Sequence, residues 1–513
     1  MQEEKIRSSW FRWVAVALAL LIVGIRIRYI NEPLENDLTI RFDYVVRHLH
    51  GSQYYTELIA FGPAGAFWIN EIFIRIFGAN AFTVFLIGCI FSLLTLQGVF
   101  LLARDWAGQL GAGIAAMIWT ILSFGLATQA NQPNTEAYIL ALVVWGFVAL
   151  QKPQAVKGID LFGICAGLLF FLATAIKHHM LFMPLLAFLG HGLVGWRPHK
   201  RTGGLNLRRW LVAAFVLVIA WLLLLGFYAM TGRFFIFFDG LLGQSLKYAG
   251  GNSGIIANLS SGLKPYYLIP AEQRPHLILY VMLALCIPLG LWKRQFTIVL
   301  LLVGWSIGVW LAIAIPGRGY PHYFTLWHAL LAIGAGYFFA LVKDMLPSKY
   351  GGACAIIAAV FVFGFFCFRI PEVWNNKAEQ AVYLKYGKVL GSRFTEARQV
   401  GLYLREHDPA LTVTELGASG LHFWSNHLPP APFVDSLYAG ESQLGELYLA
   451  KMTAQLVDEP ADWLVVWREL LRPANKDPRA FLVRKITTKH EYIERTDLSG
   501  NALVVLRLTK RNR

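Results

Sequence analysis

Long apolar runs separated by short basic loops fill the first 370 residues, and the pattern then changes abruptly. Windows long enough to cross about 30 Å of hydrocarbon lie near 11 to 28, 80 to 102, 108 to 128, 135 to 150, 159 to 175, 179 to 195, 210 to 230, 275 to 292, 296 to 315, 323 to 342 and 352 to 370. They predict a polytopic α-helical membrane protein with about 11 transmembrane helices. The first run reads as a span and not as a cleaved leader, because Arg26 and Arg28 close it and no small-residue cleavage site follows. Between the first two spans the loop 31–79 is too long for a plain connector. Its stretch Ala66 to Gly78 interleaves Phe67, Trp68, Ile72, Phe73, Ile76 and Phe77 with Asn70, Glu71 and Arg75, which predicts an amphipathic helix lying on the membrane. From residue 371 the composition is that of a soluble domain, with a helical stretch near Thr395 to Glu406 and β-rich runs at Leu411 to Glu415, Trp463 to Trp467 and Ala502 to Leu508. The predicted organisation is therefore a transmembrane domain, 1–370, followed by a C-terminal soluble α/β domain, 371–513.

Charge orients these elements. The net charge of +15 is concentrated in residues 1–370, which hold 27 Lys/Arg against 14 Asp/Glu, whereas 371–513 holds 19 against 17. With the N-terminus inside, the cytoplasmic loops carry Lys152 and Lys157, then Arg197, Lys200, Arg201, Arg208 and Arg209, then Lys293 and Arg294, then Lys343 and Lys349. An odd number of crossings then puts 371–513 on the extracytoplasmic side of the plasma (inner) membrane, with loops 31–79, 231–274 and 316–322. Basic residues spent in short interhelical loops leave no exposed basic face, so no nucleic-acid partner is expected. The 56% hydrophobic and 15% charged composition also excludes a disordered scaffold and a coiled coil. Cys89, Cys165, Cys286, Cys354 and Cys367 all fall in or beside apolar stretches, where a thiol behaves as a small hydrophobe, so neither a disulfide framework nor a metal cluster is expected.

Carboxylates are scarce in the membrane part, and that scarcity narrows the chemistry. Between residues 72 and 371 the acids are Asp105, Asp160 and Asp344, assigned to cytoplasmic loop ends, and Glu136, Asp239 and Glu272, assigned outside. The first external loop adds Glu32, Glu35, Asp37, Asp43, Glu57 and Glu71. Asp37, soon after the first span, has two readings: a carboxylate at the membrane surface within reach of a lipid headgroup, or the N-cap of a helix over Leu38 to Leu49. Glu136 opens a span in Pro133-Asn134-Thr135-Glu136, where it either works chemically or complements the helix dipole behind a cap at Asn134 or Thr135. Lys177-His178-His179 sits between two spans. Such a run faces an anion or a water-filled cavity, or else it snorkels to the interface. Two adjacent histidines on one helix face cannot share a metal, so this run carries no metal site. The turn Pro316-Gly317-Arg318-Gly319-Tyr320-Pro321-His322-Tyr323 combines backbone and cationic donors suited to phosphate, although any tight turn also uses Gly and Pro.

These features together resemble the GT-C superfamily of membrane glycosyltransferases, in the branch of the protein O-mannosyltransferases and the bacterial aminoarabinose and galacturonic acid transferases. The resemblance is nearly chain-long. It rests on an acid soon after the first span followed by a Tyr and a Gly, on a Gly-Pro step before an amphipathic helix, and on an Arg-x-x-x-His-Tyr-Phe turn entering a late span. Phe61-Gly62-Pro63-Ala64 stands where many relatives carry a basic residue before Pro-Pro, and Asn36-Asp37 replaces the usual Asp-Glu. By resemblance, Asp37 matches the catalytic acid of the first external loop and Glu136 a second acid opening a later span. Lys177, Arg318, His322 and Tyr323 match the residues near the donor phosphate.

The resemblance implies an enzyme that inverts the anomeric centre of a sugar as it moves from a polyprenyl phosphate carrier to an extracytoplasmic acceptor, whether lipid, glycan or protein, in contact with membrane lipids. The phosphate is already a good leaving group, so cations to hold it and one carboxylate to receive the acceptor proton suffice. No cofactor is required by this chemistry, and a divalent cation is compatible with it. A transporter or flippase of lipid-linked sugars, a polymerase or ligase of surface glycans, and a structural membrane partner are the alternative readings. A transporter has no evident use for an outer domain of this size, and its acids belong near the bilayer midplane.

Overall fold

A computed structural model of the protein describes residues 2–58, 62–152, 158–195, 207–243, 245–246, 254–263, 274, 276–417, 420–428 and 443–510. Phe61, Lys157, Arg197, Lys200, Arg201 and Glu272, all used in the sequence reading, lie outside the described residues. The chain is a multi-pass membrane protein. Helices α1 (Gln2–Ile27), α2 (Asn36–Leu49), α3 (Gly65–Phe77), α4 (Ala81–Leu122), α5 (Thr135–Gln151), α6 (Leu161–Ile176), α7 (Phe182–Gly195) and α8 (Leu207–Met230) are followed by Leu277–Trp292, Phe296–Ala314, His328–Met345, Gly351–Trp374 and Ala378–His407. Five described helices are long and apolar enough to cross a membrane: Ala81–Leu122, Leu207–Met230, Phe296–Ala314, Pro321–Met345 and Ser348–Trp374. Shorter apolar helices fill the other predicted windows. The windows at 80–102 and 108–128 form one element, α4, broken at Gly108 where φ is 66° and ψ is −169°. A further apolar helix, Phe234–Gly243, has no counterpart among the predicted windows.

Cα packing divides the chain into two units, and the division is not a single cut at residue 370. The first comprises Met1–Tyr29, Phe85–Phe234 and Tyr248–Asn376, and the second Ile30–Val84, Phe235–Lys247 and Lys377–Arg513. In the first unit small residues let helices touch backbone to backbone. A Cβ at Gly304 would lie 2.3 Å from Leu186 O, and one at Gly308 would lie 2.7 Å from Phe182 O, so the Gly-x-x-x-Gly face of Phe296–Ala314 seats directly on α7. Asp160 caps α6 by accepting from Gly163 N at 3.2 Å, and it receives Arg209 Nε of α8 at 3.0 Å.

In the second unit a four-stranded sheet has the order β1-β2-β4-β3, with β1 (Val413–Leu416), β2 (Trp463–Trp467), β3 (Glu491–Glu494) and β4 (Leu503–Lys510). β1 and β2 run parallel and the other pairs antiparallel. Alternation along the central strands sorts the side chains between two faces. Trp463, Val465, Leu503 and Val505 pack with Ala397, Val400 and Leu404 of Ala378–His407. Leu464, Val466, Val504 and Leu506 pack with Met452, Leu456, Leu482 and Ile486 on the other side. The same unit holds α3, where Phe67, Asn70 and Ile74 are buried while Ile72, Ile76 and Phe77 are exposed, the amphipathic split that the pattern predicts.

Candidate functional site

In the first unit, tertiary packing collects residues from the ends of several helices. Glu136 stands in the first turn of α5 with its side chain buried, and it forms an ion pair with Lys177, the residue that ends α6. Thr135 Oγ1 donates to Glu136 Oε2 at 3.2 Å. The Lys177 ammonium lies 4.3 Å from the ring centroid of Tyr323, a cation–π contact. His322 stands edge-on to Tyr323, with ring centroids 4.8 Å apart, and 5.7 Å from Tyr320 in a near-parallel arrangement. Its Nδ1 meets Gln129 Oε1 at 3.0 Å. Four of the residues picked from the sequence, Glu136, Lys177, His322 and Tyr323, therefore form one cluster, which sequence reasoning completed without Gln129.

Arg318 is exposed in the turn that leads into this cluster. The turn is built by Gly317 and Gly319, with φ of 66° and 57°, a backbone region open to glycine. A Cβ at Gly317 would also meet the Asn258 side chain at 2.5 Å. His178 and His179 form a short turn after Lys177 and their rings touch edge to face at 5.4 Å. Among the described residues no group of three or more His, Cys, Asp or Glu side chains is placed to hold a metal ion.

Asp37 belongs to the second unit. The cap reading fails there on geometry: Glu35 occupies the N-cap of α2, no side-chain cap bond forms, and Asp37 lies inside the first turn. Its side chain is 34% exposed and lies 3.7 Å from Arg41 one turn later. The same unit holds Glu32, Glu35 and Asp43, which the sequence gives only as members of the short list of acids, and Lys385, which it does not mention. Glu32 and Lys385 form an ion pair whose side chains are both fully buried. Burial, reinforced by the charge of Asp37, pushes the Glu35 carboxyl up to about 8. Asp43 is raised as well, by burial and then by the charge of Glu415. Asp37 is thus the half-open carboxylate of a set whose other members are buried.

Glu35 sets a pH dependence whose sign follows from linkage. Its carboxyl ionises near 4.5 in the unfolded chain and near 8 in the folded one, so between those values the native state binds the extra proton and stability falls as pH rises. The thermal midpoint of detergent-purified protein is expected to drop between about pH 5 and pH 8. Glu35→Gln should flatten part of that drop, leaving the contribution of Asp43, which has the same sign. A midpoint that rises over this range, or a slope unchanged by Glu35→Gln, would contradict the assignment.

Known proteins share part of the sequence pattern and the fold. Residues 62–225 match the family model described as dolichyl-phosphate-mannose-protein mannosyltransferase. The structure superposes on ArnT from Cupriavidus metallidurans in the apo state with a TM-score of 0.59 and 15% identity, covering 97% of this chain and 98% of that one. The undecaprenyl phosphate complex of the same protein gives 0.57 at the same identity and coverage. An Archaeoglobus fulgidus oligosaccharyltransferase tethered to an acceptor peptide gives 0.52 and 12% identity, covering 98% of this chain and 74% of that one. The chain therefore shares the fold of these membrane glycosyltransferases over nearly its whole length. At these identities the structural matches speak for the GT-C fold and leave residue roles to the geometry. No curated protein matches the sequence.

Proposed function

We propose that this protein is a GT-C glycosyltransferase that transfers a sugar from a polyprenyl phosphate to an extracytoplasmic acceptor with inversion, and that the Lys177 cluster receives the carrier phosphate. The observation that carries the reading is one described cluster in which Lys177 pairs with Glu136 and lies over the ring of Tyr323, with His322 edge-on to that ring. In the proposed step the acceptor oxygen attacks the anomeric carbon. The bond from that carbon to the phosphate oxygen breaks with its electron pair, and the acceptor proton passes to a carboxylate base, a role proposed for Asp37 from its exposure within its own unit. The phosphate gains a negative charge as it leaves, so cations beside it stabilise the transition state more than the ground state. Glu136 is assigned the task of holding Lys177, since a buried, ion-paired carboxylate is poorly placed to accept a proton. The family match over residues 62–225 and the GT-C relative captured with undecaprenyl phosphate support a lipid-phosphate carrier. The test is purified protein with a panel of radiolabelled polyprenyl phosphate sugars, followed by release of free polyprenyl phosphate and the anomeric configuration of the product. Failure to consume any such donor, or retention of configuration, overturns the reading.

Arg318 provides a narrower check. Arg318→Lys keeps the charge and loses the planar fork, so the donor should bind less tightly if two phosphate oxygens are gripped together. Arg318→Ala should cost roughly 1.5 to 3 kcal/mol, the range for a lost charged hydrogen bond. An unchanged donor dissociation constant in both variants, with a raised one in Lys177→Ala, would confine the phosphate to the Lys177 side and remove the turn from the site.

A further inference from the structure

We infer that Gln129 is a positioning residue for His322, held in a strained backbone by a segment that Arg26 organises. The inference rests on reading the His322 cluster as the carrier-phosphate site. Residues 123–134 join the end of α4 to the start of α5 and show no regular helix. Arg26, at the end of α1, reads in the sequence only as the close of an apolar run, yet it is 4% exposed. Its guanidinium donates to Asn131 O at 2.8 Å, Ser123 O at 2.9 Å, Ala130 O at 3.1 Å and Ser92 Oγ at 2.6 Å. No carboxylate pairs with it among the described residues, so the carbonyl dipoles of this segment are what offset its charge. Gly88 makes room, because a Cβ there would fall 2.8 Å from Arg26 Nη1. The segment is thereby gripped at both ends of the stretch that contains Gln129.

Gln129 has a φ of 57°, one of four non-glycine residues in the left-handed region among those described, and it is 4% exposed. That conformation is unfavourable for a residue with a Cβ, and glycine adopts it freely. Strain of this kind persists where the surroundings impose it, and it gathers at sites where one side chain must be aimed. The aim here is visible. Gln129 Oε1 meets His322 Nδ1 across 193 residues of sequence, at 3.0 Å. This bond fixes the rotation of the imidazole and so the direction of Nε2, while the rings of Tyr320 and Tyr323 hold its faces and edge. Because Gln129 Oε1 accepts from Nδ1–H, the ring offers an anion a donor at Nε2 when it is protonated at both nitrogens, and pre-set in this way it loses less freedom on meeting that anion than one that turns freely.

The test uses full-length protein in detergent, with farnesyl phosphate as the probe and farnesol as its phosphate-free control. Gln129→Gly relieves the backbone strain and removes the acceptor, so its thermal midpoint should not fall by much, while the dissociation constant for farnesyl phosphate should rise about fivefold, the size of one ordinary hydrogen bond. In a His322→Ala background the same change should have no further effect, because the two residues act through one bond. Should Gln129→Gly fail to fold, Gln129→Asn, which tolerates the left-handed region but is one methylene too short, is expected to keep the fold and weaken binding similarly. Wild-type affinity in a folded Gln129 variant overturns the inference and leaves the site reading intact, as does a full loss of affinity repeated on top of His322→Ala. Equal binding of farnesyl phosphate and farnesol by the wild type overturns both.

Discussion

Asp37→Asn is expected to lower transfer by at least about a hundredfold, the lower end of what a positioned general base contributes, while the protein folds and purifies as the wild type does. Asparagine is a near-isostere, and the contact it weakens, to Arg41 at 3.7 Å on a partly exposed helix face, is of the kind that contributes little to stability. Because Glu35 rather than Asp37 occupies the N-cap of α2, no helix-capping role remains to explain a loss. The substitution also removes the charge that helps raise the Glu35 carboxyl. The fall in thermal midpoint with rising pH should therefore become shallower in Asp37→Asn, a second signature that does not depend on catalysis. Transfer near the wild-type rate, measured with saturating donor, would take Asp37 out of the mechanism.

The second large effect concerns Lys177 and Glu136. Lys177→Met leaves a carboxylate that is 1% exposed without its partner, and removing one member of a buried pair typically costs about 3 to 5 kcal/mol. Both stability and donor binding should suffer. Glu136→Gln should destabilise less, since Lys177 is 17% exposed and reaches water. The double variant Glu136→Gln/Lys177→Met separates structure from function: it has no stranded charge, so its thermal midpoint should recover towards the wild type. Affinity for a polyprenyl phosphate should stay as low as in Lys177→Met alone, because the cation is still missing. If the double variant regains donor affinity along with stability, the cluster is a structural brace and the phosphate is held elsewhere.

The sequence by itself determined the features that depend on neighbouring residues. Apolar windows marked the helices because the cost of crossing hydrocarbon is summed over a contiguous stretch. β2 was predicted at the residues it occupies, Trp463–Trp467, and the faces of α3 followed from helical period alone. Lys177 stood out because a polar run between spans is costly unless something uses it, Glu136 because carboxylates are scarce in the membrane part, and His322 and Tyr323 through the Gly- and Pro-rich turn and the family resemblance. What the sequence left open was which of them meet, and what else meets them. Glu136 and Lys177 are 41 residues apart, and Gln129 and His322 are 193 apart. Local pattern carries no information about such pairs, since the path of the chain through the bundle decides them. For the same reason only the tertiary structure joined residues 30–84 and 235–247 to the C-terminal tail in one unit and buried Glu32 against Lys385. It also turned Arg26 from the end of a span into the clamp on residues 123–131. Burial and pairing are properties of the packed chain, and with them come the ion pairs, the raised carboxyl of Glu35 and the aim of His322.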